Sequence, residues 1–176
     1  MFDFIYAFSR FVIYVFLAGF ISNTIGYLVP RNRINTDAFP YKSFKWEKEG
    51  MFYQSFKVKQ WKTKVPDMSK ILKTLYPKTL SYNPTPKRVQ RLVQESCVAE
   101  FVHVMLIVSA PLIDYYIDGP YGEFFTVLYI LGNIPYIVIQ RYNRPSLKRL
   151  YVHLVKRESE KLNLGGIKRE GIDIIL

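Results

Sequence analysis

Formal charge is absent from long stretches of this chain and crowded between them, and few folds tolerate that pattern. From Phe11 to Leu28 there are 18 residues without a charge, with Ser22, Asn23 and Thr24 as the strongly polar positions. At ~1.5 Å of rise per residue such a run comes close to crossing a bilayer core of ~30 Å. A second block, Val98 to Ile117, carries Glu100 and His103 near its start, Pro111 inside it and Asp114 near its end. A third, Phe124 to Ile139, is uncharged and interrupted by Asn133 and Pro135. Backbone in lipid must satisfy its own hydrogen bonds, so blocks of this kind fold as helices. The expectation is a mainly α, small integral membrane protein with two or three transmembrane helices, forming a single membrane domain over 1–176. The helices are expected at about 11–28, 98–117 and 124–139, the last two as a hairpin that spans or re-enters. The first block fits a retained helix better than a cleaved signal peptide, because Asp3 stands where a basic segment would be and no small-x-small site precedes Arg31.

The charges between the blocks fix an orientation. Of 25 Lys and Arg, 15 lie in 31–93 and nine in 140–176, and Arg10 is the remaining one. The turn Asp118-Gly-Pro-Tyr-Gly-Glu123 has two acids and no base. With three helices, both basic stretches fall on one side, so the positive-inside rule puts the N-terminus outside and 31–93 with the C-terminus in the cytoplasm of a multi-pass cell-membrane protein. A net charge of +11 would suggest nucleic acid in a soluble chain. Here attraction to anionic phospholipid explains it, and the apolar blocks have no place in a nucleic-acid binder.

Region 31–93 alternates aromatic and basic residues, as in Tyr41-Lys-Ser-Phe-Lys-Trp46 and Phe56-Lys-Val-Lys59. It reads as an interfacial element with rings inserted and lysines on headgroups. Ser69 to Leu75 suits a short helix, and Tyr82 to Pro86 a turn. Thr85 and Pro86 have the form of an N-cap and first helical position, starting a helix that runs into the second block. After Asn143-Arg-Pro145, Leu147, Leu150, Tyr151, Leu154 and Val155 recur at spacings of three and four with Lys148, Arg149, Lys156 and Arg157 opposite. That predicts a C-terminal amphipathic helix at about 145–161 on the membrane surface.

Glu100 and His103 share a helix face. A carboxylate beside an imidazole can hold its tautomer, the arrangement of a general base acting on a hydroxyl, and ionisable groups within a span are candidates for function. Solvation of both in the headgroup zone is the competing reading. Gln140, Arg141, Asn143 and Arg144 leave the third block with two guanidiniums and two amides, suited to phosphate, carboxylate or sugar hydroxyls, or to a plain anchor. Lys64 and Asp67 form either a site or a loop ion pair. Asp114 and His153 read as interfacial and surface residues. One cysteine, Cys97, permits no intrachain disulfide. No glycine-rich phosphate loop, G-x-S-x-G or H-E-x-x-H is present. The fifth residue after His103 is Val108, so the H-x-x-x-x-D pattern of soluble glycerolipid acyltransferases is missing too. Glu95, Glu100 and His103 do not make a metal site at a recognised spacing.

Three segments together resemble the glycosyl-4,4'-diaponeurosporenoate acyltransferases of staphyloxanthin-type carotenoid synthesis: Tyr41 to Gly50 with Val58 to Lys64 and Asp67; Glu95 with Ala99-Glu100 and His103; and Asn133-Ile-Pro135 leading into Gln140 to Pro145. The likeness covers roughly 39–151. It implies transfer of a fatty acyl group to a sugar hydroxyl on a membrane glycolipid such as a glycosylated carotenoid. On that reading His103 deprotonates the acceptor, Glu100 orients it, and Glu95, Lys64, Asp67, Gln140, Arg141, Asn143 and Arg144 contact substrate. The basic surface would suit an acyl-CoA or acyl carrier protein donor, with no bound cofactor or metal. The alternative is a non-catalytic accessory subunit holding anionic lipid or a partner enzyme on its basic face. An enzyme requires Glu100, His103 and 140–145 to converge, whereas a scaffold leaves them apart and exposed.

Overall fold

A computed structural model describes residues 2–66 and 83–173, with side chains described as far as Lys161. Secondary structure among the described residues is helical, without strands. Helix α1 covers Phe2–Leu28, α2 Val58–Trp61, α3 Pro86–Ser109, α4 Pro111–Tyr116 and α5 Pro120–Asp173. Short 3-10 segments lie at Arg31–Arg33 and Lys45–Gln54. Three stretches, Phe2–Leu28, Pro86–Tyr116 and Pro120–Lys161, are long and apolar enough to cross a membrane. The third apolar block therefore belongs to a helix long enough to span.

Helix α3 starts where the residue order indicates. Thr85 is extended, its hydroxyl accepts from Arg88 N, and Pro86 occupies the first turn where its missing N–H costs nothing. Pro111 ends the regular ladder after Ser109, and α4 continues as a short offset piece. The chain reverses at Asp118-Gly119 and returns as α5.

Here the structure corrects the expected segmentation. The block at 124–139 and the amphipathic helix at 145–161 are one helix of 54 residues that passes through Pro135 and Pro145. Each proline removes one i→i−4 bond, a loss that neighbouring structure in a helical bundle can absorb. The tail is thus a continuation of α5 rather than a separate element.

The three long helices bury a common core. Val98, Val102 and Leu106 of α3 and Ala110 after it meet Ile113, Ile117, Phe125 and Tyr129, with Ala7, Phe11, Tyr14 and Val15 of α1 closing the third side. At the end carrying the N-terminus the packing is aromatic: Phe11 stacks on Phe125 with centroids 4.6 Å apart, and Tyr129 lies edge-on to Tyr14. Tyr14 also donates to the Ser109 carbonyl at 2.6 Å. Gly26 lets α1 approach α3, since a Cβ there would lie 2.6 Å from Val102 Cγ2. Outside these contacts α1 presents Phe16, Phe20, Ile21 and other apolar side chains outward, as a lipid-facing helix does.

Candidate functional site

At the opposite, basic end of the bundle the packing changes to charge. Arg141 and Arg144 lie on one face of α5, three residues apart, and face Glu100 on α3. Arg141 Nε donates to Glu100 Oε1 at 2.8 Å, and Arg144 Nη2 donates to Glu100 Oε2. Glu47, from the 3-10 segment, closes the set by accepting from Arg141 Nη1 at 2.8 and 2.9 Å. All four side chains are removed from solvent, Glu47 at 2% and Arg144 at 3% exposure.

Local geometry delivers Glu47 to this place. Its carboxylate caps its own segment by accepting from Phe44 N at 2.6 Å, and Tyr53 OH donates to it. The segment can fold back because Lys48, Glu49 and Gly50 all take left-handed backbone conformations. Gly50, with φ at +91°, lies against α5, where a Cβ would come 3.1 Å from the Tyr142 carbonyl. Burial first, and then the bond to Glu47, push the Tyr53 phenol well above its ordinary pKa, so it serves Glu47 as a donor.

The remaining nitrogens of both arginines are also used within the protein. Arg141 Nη2 donates to the Pro40 carbonyl at 2.6 Å, and the Arg141 guanidinium stacks over Phe44. Arg144 donates to Ser96 Oγ, the Ser96 carbonyl and the Tyr41 carbonyl. Every nitrogen of both guanidiniums thus has a protein acceptor. They tie α3, α5 and the 40–54 segment together.

His103 is one turn along α3 from Glu100, whose carboxylate the two arginines occupy. His103 Nδ1 lies 2.9 Å from Asn133 Oδ1 on α5. Asn133 Nδ2 donates to the Tyr129 carbonyl at 2.8 Å, so its Oδ1 is the atom turned to the ring and must accept. The imidazole nitrogen that faces Asn133, Nδ1, therefore carries a proton and donates it. Tyr136 stacks on the ring at 4.4 Å with the planes 11° apart. Asn133 and Tyr136 thus hold the His103 ring from α5.

The other expected residues are distributed around this centre. Glu95 is bound by Arg31 at 3.2 Å and Arg91 at 2.8 Å, which ties the segment after α1 to α3. Gln140 is buried beside Arg141. Asn143 Oδ1 accepts from Lys62 Nζ at 2.7 Å, and burial, then Lys59, lower the Lys62 ammonium's pKa. Lys64 is exposed in the turn after α2. Asp67 and the expected helix at Ser69 to Leu75 lie outside the described residues. Convergence thus holds for Glu100, Arg141 and Arg144, with His103 joined to the same α3–α5 seam through Asn133.

Glu47, Tyr53, Ser96, Asn133 and Tyr136 are the members that spacing did not single out. Glu47 stood within the Tyr41–Gly50 segment, and Asn133 was visible as an amide in an otherwise apolar span, which calls for a partner.

Comparison with known proteins agrees with this picture. The family model for glycosyl-4,4'-diaponeurosporenoate acyltransferase matches residues 37–153, which include both acids, both arginines and His103 of the site. The protein of that name from Staphylococcus aureus strain MRSA252 is 28% identical over 140 residues, covering 78% of this chain and 82% of its own. That of strain N315 is 27% identical over 139 residues with the same coverage. No solved structure matches. The chain belongs to the glycosyl-4,4'-diaponeurosporenoate acyltransferase family and is an acyltransferase.

Proposed function

We propose that the protein transfers a fatty acyl group from a thioester donor to a hydroxyl of a membrane glycolipid, with His103 as general base. The observation that supports this is the His103–Asn133 bond, which fixes the orientation of an imidazole within a helix long enough to span the bilayer. The acceptor hydroxyl oxygen attacks the thioester carbonyl carbon while its proton passes to Nε2. The C–S bond then breaks, and the leaving thiolate takes that proton from the imidazolium. Asn133 and Tyr136 hold the ring through both transfers. The Glu47–Arg141–Glu100–Arg144 cluster fixes α3 against α5 and so sets the register of His103 opposite Asn133. Sugar hydroxyls of a glycosylated carotenoid fit the name its relatives carry. Acyl-CoA or acyl carrier protein is the donor, approaching the basic side that displays Lys64. The basic segments lie in the cytoplasm and the N-terminus outside, in keeping with the distribution of Lys and Arg.

The scaffold reading draws support from one observation, the engagement of every nitrogen of Arg141 and Arg144 by protein acceptors. One experiment separates the two. Membranes from cells expressing the wild type or His103→Ala, at equal protein level, are given labelled acyl-CoA, and total lipid is analysed by mass spectrometry. Wild type is expected to form an acylated glycolipid, and the variant at least about 100-fold less. Product at undiminished rate from the variant would remove His103 as the base and leave the enzyme. No acylated lipid from wild type with either donor class would favour the scaffold.

A further inference from the structure

The segment 39–59 carries a surface that the acyl-transfer site does not use. Its rings form a continuous chain in space: Phe39 on Phe44, Phe44 stacked on Trp46 at 6.1 Å and 11°, Trp46 edge-on to Phe52 at 5.1 Å, and Phe52 on Phe56 at 5.3 Å. These rings are exposed: Phe39 at 81%, Trp46 at 55% and Phe56 at 58%, with Met51 beside them at 62%. Lys42, Lys45, Lys48, Lys57 and Lys59 in the same segment are exposed too. Its acids do not offset them: Glu47 is buried against Arg141, and Glu49 is paired with Arg149 at 3.1 Å.

Position decides what covers this surface. Arg141, whose guanidinium lies 4.6 Å over the Phe44 ring, ends the uncharged run of α5 that starts after Glu123. At ~1.5 Å per residue that run is about 26 Å long, so the aromatic chain begins where the hydrocarbon ends. Rings at this depth with lysines around them match the headgroup layer of an anionic leaflet, where aromatic bodies insert and ammonium groups meet phosphate. An acidic protein partner would match the lysines and leave the rings unexplained.

We propose that residues 39–59 are a rigid lipid-docking element that lies in the headgroup layer of anionic phospholipid at the basic end of the bundle. Glu47 inside and Gly50 against α5 hold it to the membrane helices. It therefore lies in the interface as a fixed part of the bundle. This inference is independent of the acyl-transfer reading.

The chain has two tryptophans, so Trp61→Phe leaves Trp46 as the sole reporter. The full-length variant is reconstituted in nanodiscs of phosphatidylglycerol and phosphatidylcholine, some carrying lipids brominated near the glycerol. Bromolipid is expected to quench Trp46 at least about twofold, and quenching is expected to fall in phosphatidylcholine alone or when the five lysines are replaced by Gln. Emission insensitive to bromolipid, or quenching that is the same without anionic lipid, overturns the proposal. As a check on the unaltered chain, a phosphatidylglycerol with a photoactivatable group near its head should label peptides from 39–59. Labelling confined to α1, α3 and α5 would equally overturn it.

Discussion

The two ends of the bundle solve the same packing problem with opposite chemistry. Near the N-terminus, α1 and α5 meet through rings, with Phe125 at 2% exposure among Phe4, Phe8 and Phe11. At the basic end, α3, α5 and the 3-10 segment meet through two carboxylates and two guanidiniums. Lipid tails compete well with ring contacts, so the aromatic end gains dispersion and shape rather than release from water. The charged end bears a desolvation cost that a well-packed apolar set would avoid. An arrangement that costs stability but fixes three segments in one register is what a site needs from its surroundings.

The largest expected effect falls at the charged end. Arg144→Ala leaves Glu100 buried with half its partners gone and should destabilise by about 3–5 kcal/mol, measured by unfolding in mixed detergent micelles. Replacing Glu100 and Arg144 together by Leu and Met should recover a large part of that stability without recovering acyl transfer. Recovery of both would mean that the cluster does not set the site. Phe125→Ala at the aromatic end should cost about 2–3 kcal/mol, less than in water, because lipid is as apolar as the core. A loss matching Arg144→Ala would erase the contrast between the ends. Gly50→Ala should cost about 1–2 kcal/mol from its positive φ, and the Tyr142 carbonyl adds to the loss. Its signature is increased proteolysis of 39–59 with the spanning helices intact.

The smallest effect concerns a rim contact. Asp37 is exposed, and its bond to Lys148 is the main cause holding its carboxyl below the usual 3.8. A carboxylate with a lowered folded value adds stability above its ordinary pKa and loses it as pH falls through the lowered one. Wild type and Asp37→Asn should differ by less than about 1 kcal/mol at pH 7, and the difference should close only as pH falls through the lowered value, below 3.8. A difference that persists in acid would assign the effect to the Lys148–Thr36 contact.

Much of the fold was legible because its causes are local. Uncharged length gives the spans, and Thr85 with Pro86 gives the start of α3. The continuity of α5 was not legible, since Pro135 and Pro145 announce breaks that neighbouring structure absorbs. In the site, Glu100 and His103 were visible as a pair on one helix face. Their actual partners lie 41 residues away at Arg141 and 30 away at Asn133. Helical spacing reports only what one helix can bring together. Glu47, 94 residues from Arg141, needed the reversal at Gly50 to reach it.

Glu47, Glu100, Arg141 and Arg144 together sum to no formal charge. A transmembrane voltage therefore exerts no net force on the cluster, although any one unbalanced charge would feel about 2.3 kcal/mol per 100 mV for a full crossing. A voltage pulls the two guanidiniums of α5 and the two carboxylates opposite them in contrary directions, and the ion pairs between them carry that load within the seam that holds His103.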